Sequence, residues 1–346
     1  MSTLELIHEI NAAHPWFFAF WAFVFGACWG SFLNVVIYRM PAGKSVVRPG
    51  SHCYACGKAI AWYDNLPILS WLILRGKARC CGAPFSIRYA LIEALTGGLY
   101  LWTWIQYSEH FAVVAALYIF IALMVAGSFI DYDTQMLPDL FTVWGLIIGF
   151  VLSCLIPELH GQGGSGDPRL LEGIRSGVLS ATGAVVGAGV ILWVAMLAET
   201  LLRKEAMGFG DVLLMGCIGA FIGWKGAIFA IFGGALLGTF VVIPIMILQK
   251  LFGLKMSVGK TTKSAPAAED STQAKQPEAD ASNSAQDAPE KTAETNEQDA
   301  DLGFGVAIPF GPWLALGALV YLLVAHESVD AYFESMQALV FSPLGM

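Results

Sequence analysis

Long runs without a single charged residue recur along this chain, and they leave few folds open to it. Pro15–Tyr38, Ala112–Ile130, Ser176–Ala198, Gly226–Leu248 and Leu302–Ala325 are each close to the ~20 residues an α-helix needs to cross a bilayer. Three further runs are imperfect. Tyr89–Tyr107 is interrupted by Glu93, Leu140–Ile156 is slightly short, and Val212–Trp224 is too short to span unless Gly210 and its neighbours are counted. The composition agrees: 56% of residues are hydrophobic and 13% charged, against about 25% charged in a soluble chain. The expected fold is all-α, a polytopic membrane protein with about eight transmembrane helices.

Basic residues set the orientation. With Arg39–Arg88 placed inside, that loop holds eight Lys and Arg and one acid, Asp64, and counting on through eight helices leaves 16 of the 19 Lys and Arg inside. Only Arg169, Arg175 and Lys225 fall outside. Both termini are then outside, and residues 131 and 211 lie at the inner face. No Lys or Arg precedes Arg39, so the first helix is read as a retained span rather than a secretory signal. The net charge of −8 says little about partners, because ten acids fall in the single inner stretch Glu269–Asp301.

The expected organisation follows. Residues 1–14 form an outer segment, 15–38 the first span, 39–88 an inner Cys-rich module and 89–255 helices two to seven. Residues 256–301 form an acidic insertion, 302–325 the last span and 326–346 an outer tail. The insertion has no aromatic residue and cannot bury enough apolar surface to offset its chain entropy, so it reads as disordered. No internal repeat is evident.

Two clusters carry chemistry. Cys53-Tyr54-Ala55-Cys56 and Cys80-Cys81 are candidate ligands of a structural Zn²⁺, since two thiolates at this spacing share one tetrahedral ion from a tight turn. Disulfides are not expected on a reducing inner side. The adjacency of Cys80 and Cys81 is awkward for one metal, and His52 is a substitute ligand. Cys28, Cys154 and Cys217 read as packed small residues. The second cluster is Asp131, which closes one apolar run, and Asp211, which opens another in Met207-Gly208-Phe209-Gly210-Asp211. A carboxylate at membrane depth is costly and implies a use. Two on one side suit an aspartic dyad, in which one carboxyl polarises a carbonyl and the other activates water. Gly208 and Gly210 leave room for a substrate strand. The bland reading of Asp211 and of Asp139 is a helix N-cap, and of Asp133 an exposed loop residue. Glu93 is either an interfacial ion pair or part of a polar site. Helix polarity assigns Asp211 as the base and Asp131 as the acid.

Several ordered stretches together resemble the type IV prepilin peptidases, the prepilin leader peptidase/N-methyltransferase family. They are Gly30–Pro41, Arg48–Cys53, Asp64–Trp71, Cys81–Tyr89, the Asp131 segment ending Leu137-Pro138-Asp139, Met207–Asp211 and Ile308-Pro309-Phe310-Gly311-Pro312. The resemblance implies an intramembrane aspartic endopeptidase with Asp131 and Asp211 as its catalytic pair. Such an enzyme removes a short basic leader from type IV prepilins and type II secretion pseudopilins at the cytoplasmic face of a bacterial inner membrane. It also implies N-methylation of the new terminus by S-adenosylmethionine. Two departures stand out: Ala78 takes the first position of the second Cys-x-x-Cys pair, and the 256–301 insertion is long. Where the methyl donor binds and the oligomeric state are not legible. The expected partners are the pilin substrates and the lipid bilayer, and no nucleic acid is expected. The alternatives are a peptidase without methylation and a carboxylate-lined ion transporter; the latter would favour midplane acids and internal repeats.

Overall fold

The computed structural model describes residues 9–11, 13–203, 207–252 and 309–341. The acidic insertion and the start of the run at Leu302 lie outside the described residues. The described residues are helical with no strand; only two isolated bridges, His52 with Ala59 and Lys77 with Pro84, interrupt the loops. Five helices are long and apolar enough to cross a membrane, and the chain is a multi-pass membrane protein.

We label the helices α1 (Pro15–Arg39), α2 (Leu69–Leu74), α3 (Arg88–Tyr107), α4 (Phe111–Thr134), α5 (Val143–Leu155), α6 (Arg169–Leu202), α7 (Phe209–Phe252), α8 (Gly311–Val320) and α9 (His326–Phe341). A π-helical turn, Tyr321–Ala325, joins α8 to α9. The last helix therefore continues to Phe341, through the stretch read from sequence as a tail.

Helix α4 is the hub. It is apolar all round, which suits a helix with neighbours on every side, and Phe120, Ile121, Ala126 and Ile130 are wholly buried. On one flank α3 packs on α4 through Tyr100 and Tyr118, stacked at 3.9 Å, each hydroxyl donating to the other's carbonyl at 2.8 and 3.2 Å. Small residues let α1 and α3 approach closely at Gly26, Gly30 and Gly97, the usual device where lipid supplies no hydrophobic drive. Large side chains such as Trp16, Trp193 and Phe232 stay exposed on the outside, where hydrocarbon solvates them.

Helix α7 is a hairpin rather than one rod. Gly223 has φ 72° and ψ 178°, which only glycine adopts without strain, and neighbours change direction there. Asp211 lies beside Gly311, Gly226 beside Tyr321, Ala230 beside Gly317 and Gly234 beside Trp313. The chain thus runs from the Gly311 end of α8 to its far end, roughly 15 Å at 1.5 Å per residue, and returns antiparallel to it. The break deprives the Ala220 carbonyl of its helical partner. Ser180 and Ser153 hydroxyls donate to it at 2.8 and 3.2 Å, and His160 Nε2 lies 3.2 Å away. At this same end Lys225 pairs with Asp330 at 3.0 Å.

Candidate functional site

Asp131 sits in the last turn of α4, which runs three residues beyond it before Gln135 ends the helix in the left-handed region and donates its N–H to the Asp131 carbonyl at 2.8 Å. Asp211 sits in the first turn of α7, two residues inside it. From the sequence, Asp131 closes one apolar run and Asp211 opens another, at or just outside the helix ends. Both instead lie within the helical ends, so the N-cap reading of Asp211 does not hold. They are 6% and 9% exposed, far less than most carboxylates.

The two acids come from separate helices and meet on a third. Gly311 opens α8 between them, with its backbone N–H directed at the Asp131 carboxyl. A methyl group built on Gly311 would lie 2.6 Å from Asp131 Oδ2 and 3.4 Å from Asp211 Oδ1. The oxygens therefore lie no farther apart than the sum of those distances. Asp131 Oδ2 is fully buried without a hydrogen-bond partner. Such an oxygen is costly unless it shares a proton or meets a ligand, so the arrangement can perform paired acid and base work. The Gly311 N–H beside Asp131 opposes the division of roles expected from helix polarity, and the two carboxyls are better regarded as one unit.

The remaining sequence candidates fall into place around this pair. Asp133 is an ion-pair partner, accepting two bonds from Arg88 at 2.8 and 2.6 Å, while Arg88 lies 5.1 Å over the Phe129 ring. Asp139 does not cap by its side chain: Thr142 is the residue before α5, and Asp139 contributes only its carbonyl to the Trp144 N–H. Gly210 lies where a Cβ would press on Leu137 at 3.3 Å, whereas Gly208 borders open space. Glu93 is buried and accepts the Ile68 N–H at 2.7 Å. That bond holds Ile68 at φ 62°, a strained value for a β-branched residue, and so ties the Cys-rich module to α3.

Gly311 is the residue that sequence reasoning left without a role. Its signal was present as the glycine of Phe310-Gly311-Pro312, a punctuation that starts a helix, but nothing local says which side chains it must admit.

The four cysteines of the module converge. Cys53 and Cys81 Sγ are 3.6 Å apart, Cys56 and Cys80 Sγ 3.4 Å, and Cys80 and Cys81 Sγ 3.8 Å, with all four sulfurs within 4.8 Å of one another. A tetrahedral Zn²⁺ with Zn–S near 2.3 Å separates its sulfurs by about 3.8 Å, so the cluster fits that ion without rearrangement. His52 turns its Nδ1 to the Gly50 carbonyl at 3.0 Å and is not part of it. Backbone N–H groups of Cys56 and Ala55 hold the Cys53 thiol down to about 6, while hydrogen bonding to Cys56 pushes Cys80 up to about 12. Thiols that still hold protons lose them when a metal binds.

The module also contains a repeat that the sequence reading did not find. Cys53 N–H bonds the Lys58 carbonyl and Gly57 N–H the Cys53 carbonyl; Ala78 N–H bonds the Ala83 carbonyl and Gly82 N–H the Ala78 carbonyl. Gly57 and Gly82 share φ 70°, and the bridges His52–Ala59 and Lys77–Pro84 correspond. The two loops are one knuckle built twice. Ala78 stands at the position of Cys53, Cys81 at that of Cys56, and Cys80 at that of Ala55. Cys80 therefore reaches the cluster from a different place in the loop than any ligand of the first knuckle.

Between this module and the adjoining ends of α1 and α3 lies a cavity of about 1200 Å³, whose walls include Asn34, Arg39, Arg48, Tyr54, Tyr89 and Glu93.

Residues 24–107 match the bacterial peptidase A24 N-terminal domain, and residues 118–243 match the type IV leader peptidase family. A prepilin leader peptidase/N-methyltransferase of Myxococcus xanthus is 33% identical over 331 residues, covering 89% of this chain and 90% of its own length. One from Neisseria gonorrhoeae is 34% identical over 63% of this chain and 78% of its own length. A type 4 prepilin-like proteins leader peptide-processing enzyme of Escherichia coli is 33% identical over 63% and 82%. No solved structure matches the chain. Similarity that spans the module and the helices bearing both aspartates leaves one assignment: the chain belongs to the type IV leader peptidase family.

Proposed function

We propose that this protein is an intramembrane aspartic endopeptidase that removes the basic leader of type IV prepilins and type II secretion pseudopilins at the cytoplasmic face of a bacterial inner membrane. It would cross that membrane eight times, counting both arms of the α7 hairpin, and then methylate the new N-terminus. The observation that carries the reading is the meeting of Asp131 and Asp211 on Gly311. One carboxylate takes a proton from water as it attacks the scissile carbonyl, and the partner carboxyl donates its proton to the carbonyl oxygen. Collapse of the tetrahedral intermediate then breaks the C–N bond and the amine leaves with a proton returned from the pair.

The zinc cluster serves to hold the module's shape. Cys53, Cys56, Cys80 and Cys81 would bind the ion, which supplies cross-linking of two loops that have no apolar core. The cavity between module and bundle suits S-adenosylmethionine, which supplies the methyl group. Guanidinium groups there answer a carboxylate, and tyrosine rings offer faces to adenine.

Asp131→Asn and Asp211→Asn are each expected to lower single-turnover cleavage of a purified prepilin by on the order of 10⁴, because paired groups act as a unit, while the protein still accumulates in membranes. Near-normal cleavage by either variant would sink the dyad. Mass spectrometry of the product's N-terminus reads the cleavage site and the added methyl group together.

A further inference from the structure

Helices α3 and α8 both pack on α4, yet they meet each other chiefly at one end. There the chain makes the π turn, a departure from regular α-helix, and its Leu322 and Leu323 carbonyls accept side-chain bonds from α3. Tyr107 hydroxyl donates to Leu322 at 3.0 Å, and Trp102 Nε1 and Gln106 Nε2 donate to Leu323 at 3.2 and 2.8 Å. From this clasp the two helices diverge towards the aspartates. The cleft between them has a volume of about 500 Å³ and an almost wholly apolar lining from Leu99, Val125, Phe129, Trp313 and Leu319. Its floor is α4, and Leu95 and Leu316 at its rim are 45% and 41% exposed, so it opens sideways.

Its upper end coincides with the dyad. Tyr132, which follows Asp131, and Pro312, which follows Gly311, are both lining residues. From Pro312 to Leu323 the cleft extends about 16 Å, or three helical turns. A bond cut at the membrane boundary places the residues on one side of it within hydrocarbon, where a chain must be helical to satisfy its backbone. An apolar helix lying in the cleft would end where Asp131 and Asp211 begin.

We propose that this cleft receives the apolar helix of the substrate, which enters sideways from the bilayer and is stopped by the clasp, so that its inner end is delivered to the dyad. The proposal rests on the peptidase reading above and adds where the substrate is held and from which side it arrives.

The test uses the full chain in phosphatidylethanolamine/phosphatidylglycerol vesicles and two synthetic peptides with the same leader and cleavage site. One continues into ~20 apolar residues, enough to span; the other continues into a short polar tail. Leu316→Trp and Leu95→Trp, which fill the rim, are expected to raise KM for the long peptide at least tenfold with kcat within twofold, and to leave the short peptide unaffected. A benzophenone amino acid at position 316 is expected to crosslink to the apolar part of the long peptide. An unchanged KM in both variants, or crosslinks to lipid alone, with normal cleavage by the unmodified enzyme, would overturn the cleft and leave the peptidase reading standing. Failure of the unmodified enzyme to cut either peptide would overturn both.

Discussion

A hydrogen atom is all that Gly311 places between two carboxyl groups. A methyl group there would lie 2.6 Å from Asp131 Oδ2 and 3.3 Å from its Cγ, well inside van der Waals contact, so the carboxyl must move. Displacements of about 1 Å in a catalytic group cost on the order of 10²-fold. Gly311→Ala should therefore lower kcat for leader cleavage by roughly that factor while the melting temperature in detergent falls little; unchanged kcat would show that the aspartates have slack. Asp131 and Asp211 were legible in the sequence because a buried acid is expensive wherever it stands. Gly311 was not, because the need for a bare Cα arises from side chains 180 and 100 residues away. Asp139 was misjudged for the opposite reason: a residue after proline suits a cap, and only the path of the chain shows that Thr142 takes that place.

The knuckles give the same lesson at the level of elements. Cys53-x-x-Cys56 announces a turn, but its twin carries Ala78 where a cysteine would mark it, so the repeat survives in backbone hydrogen bonds and left-handed glycines rather than in side chains. Correspondence of the loops makes a specific prediction. Cys80→Ala should lower bound zinc below one per chain, and adding Ala78→Cys should restore it, since position 78 matches Cys53. Metal content by mass spectrometry of the purified variants measures this, and full zinc in Cys80→Ala would remove that residue from the ligands. Helix limits behaved differently. Apolar runs located α1, α3, α4 and α5 to within a few residues, because one lipid-facing side suffices to mark a span. The ends of α6 and of the last helix were missed, because both continue past the run into polar sequence: α6 begins at Arg169 and α9 carries Glu327 and Asp330.

At the scale of the molecule, hydropathy conveyed a membrane protein that is helical over the described residues, and the order of motifs conveyed the family. What they withheld is how helices distant in sequence share a site, since that depends on packing of small residues. Replacing residues 258–300 with a short Gly/Ser linker is expected to leave cleavage of a purified prepilin within about twofold; the composition offers no core, and both aspartates belong to other segments. A severe loss in a variant that remains stable in detergent would give the insertion a direct role. The first arm of α7, residues 209–222, and α5 are short, 14 and 13 residues, or about 20 Å each against a hydrocarbon thickness of about 30 Å. They pack together, Gly145 on Cys217 and Gly149 on Phe221. The α7 arm is largely buried, so only α5 faces lipid, through Trp144, Ile147, Phe150 and Val151, and a bilayer beside a helix that short can thin to meet it. Hydrolysis consumes a water molecule each turnover, and a dimple in the bilayer on this side would bring the bulk aqueous phase down to Asp211, leaving the opposite flank dry for the substrate.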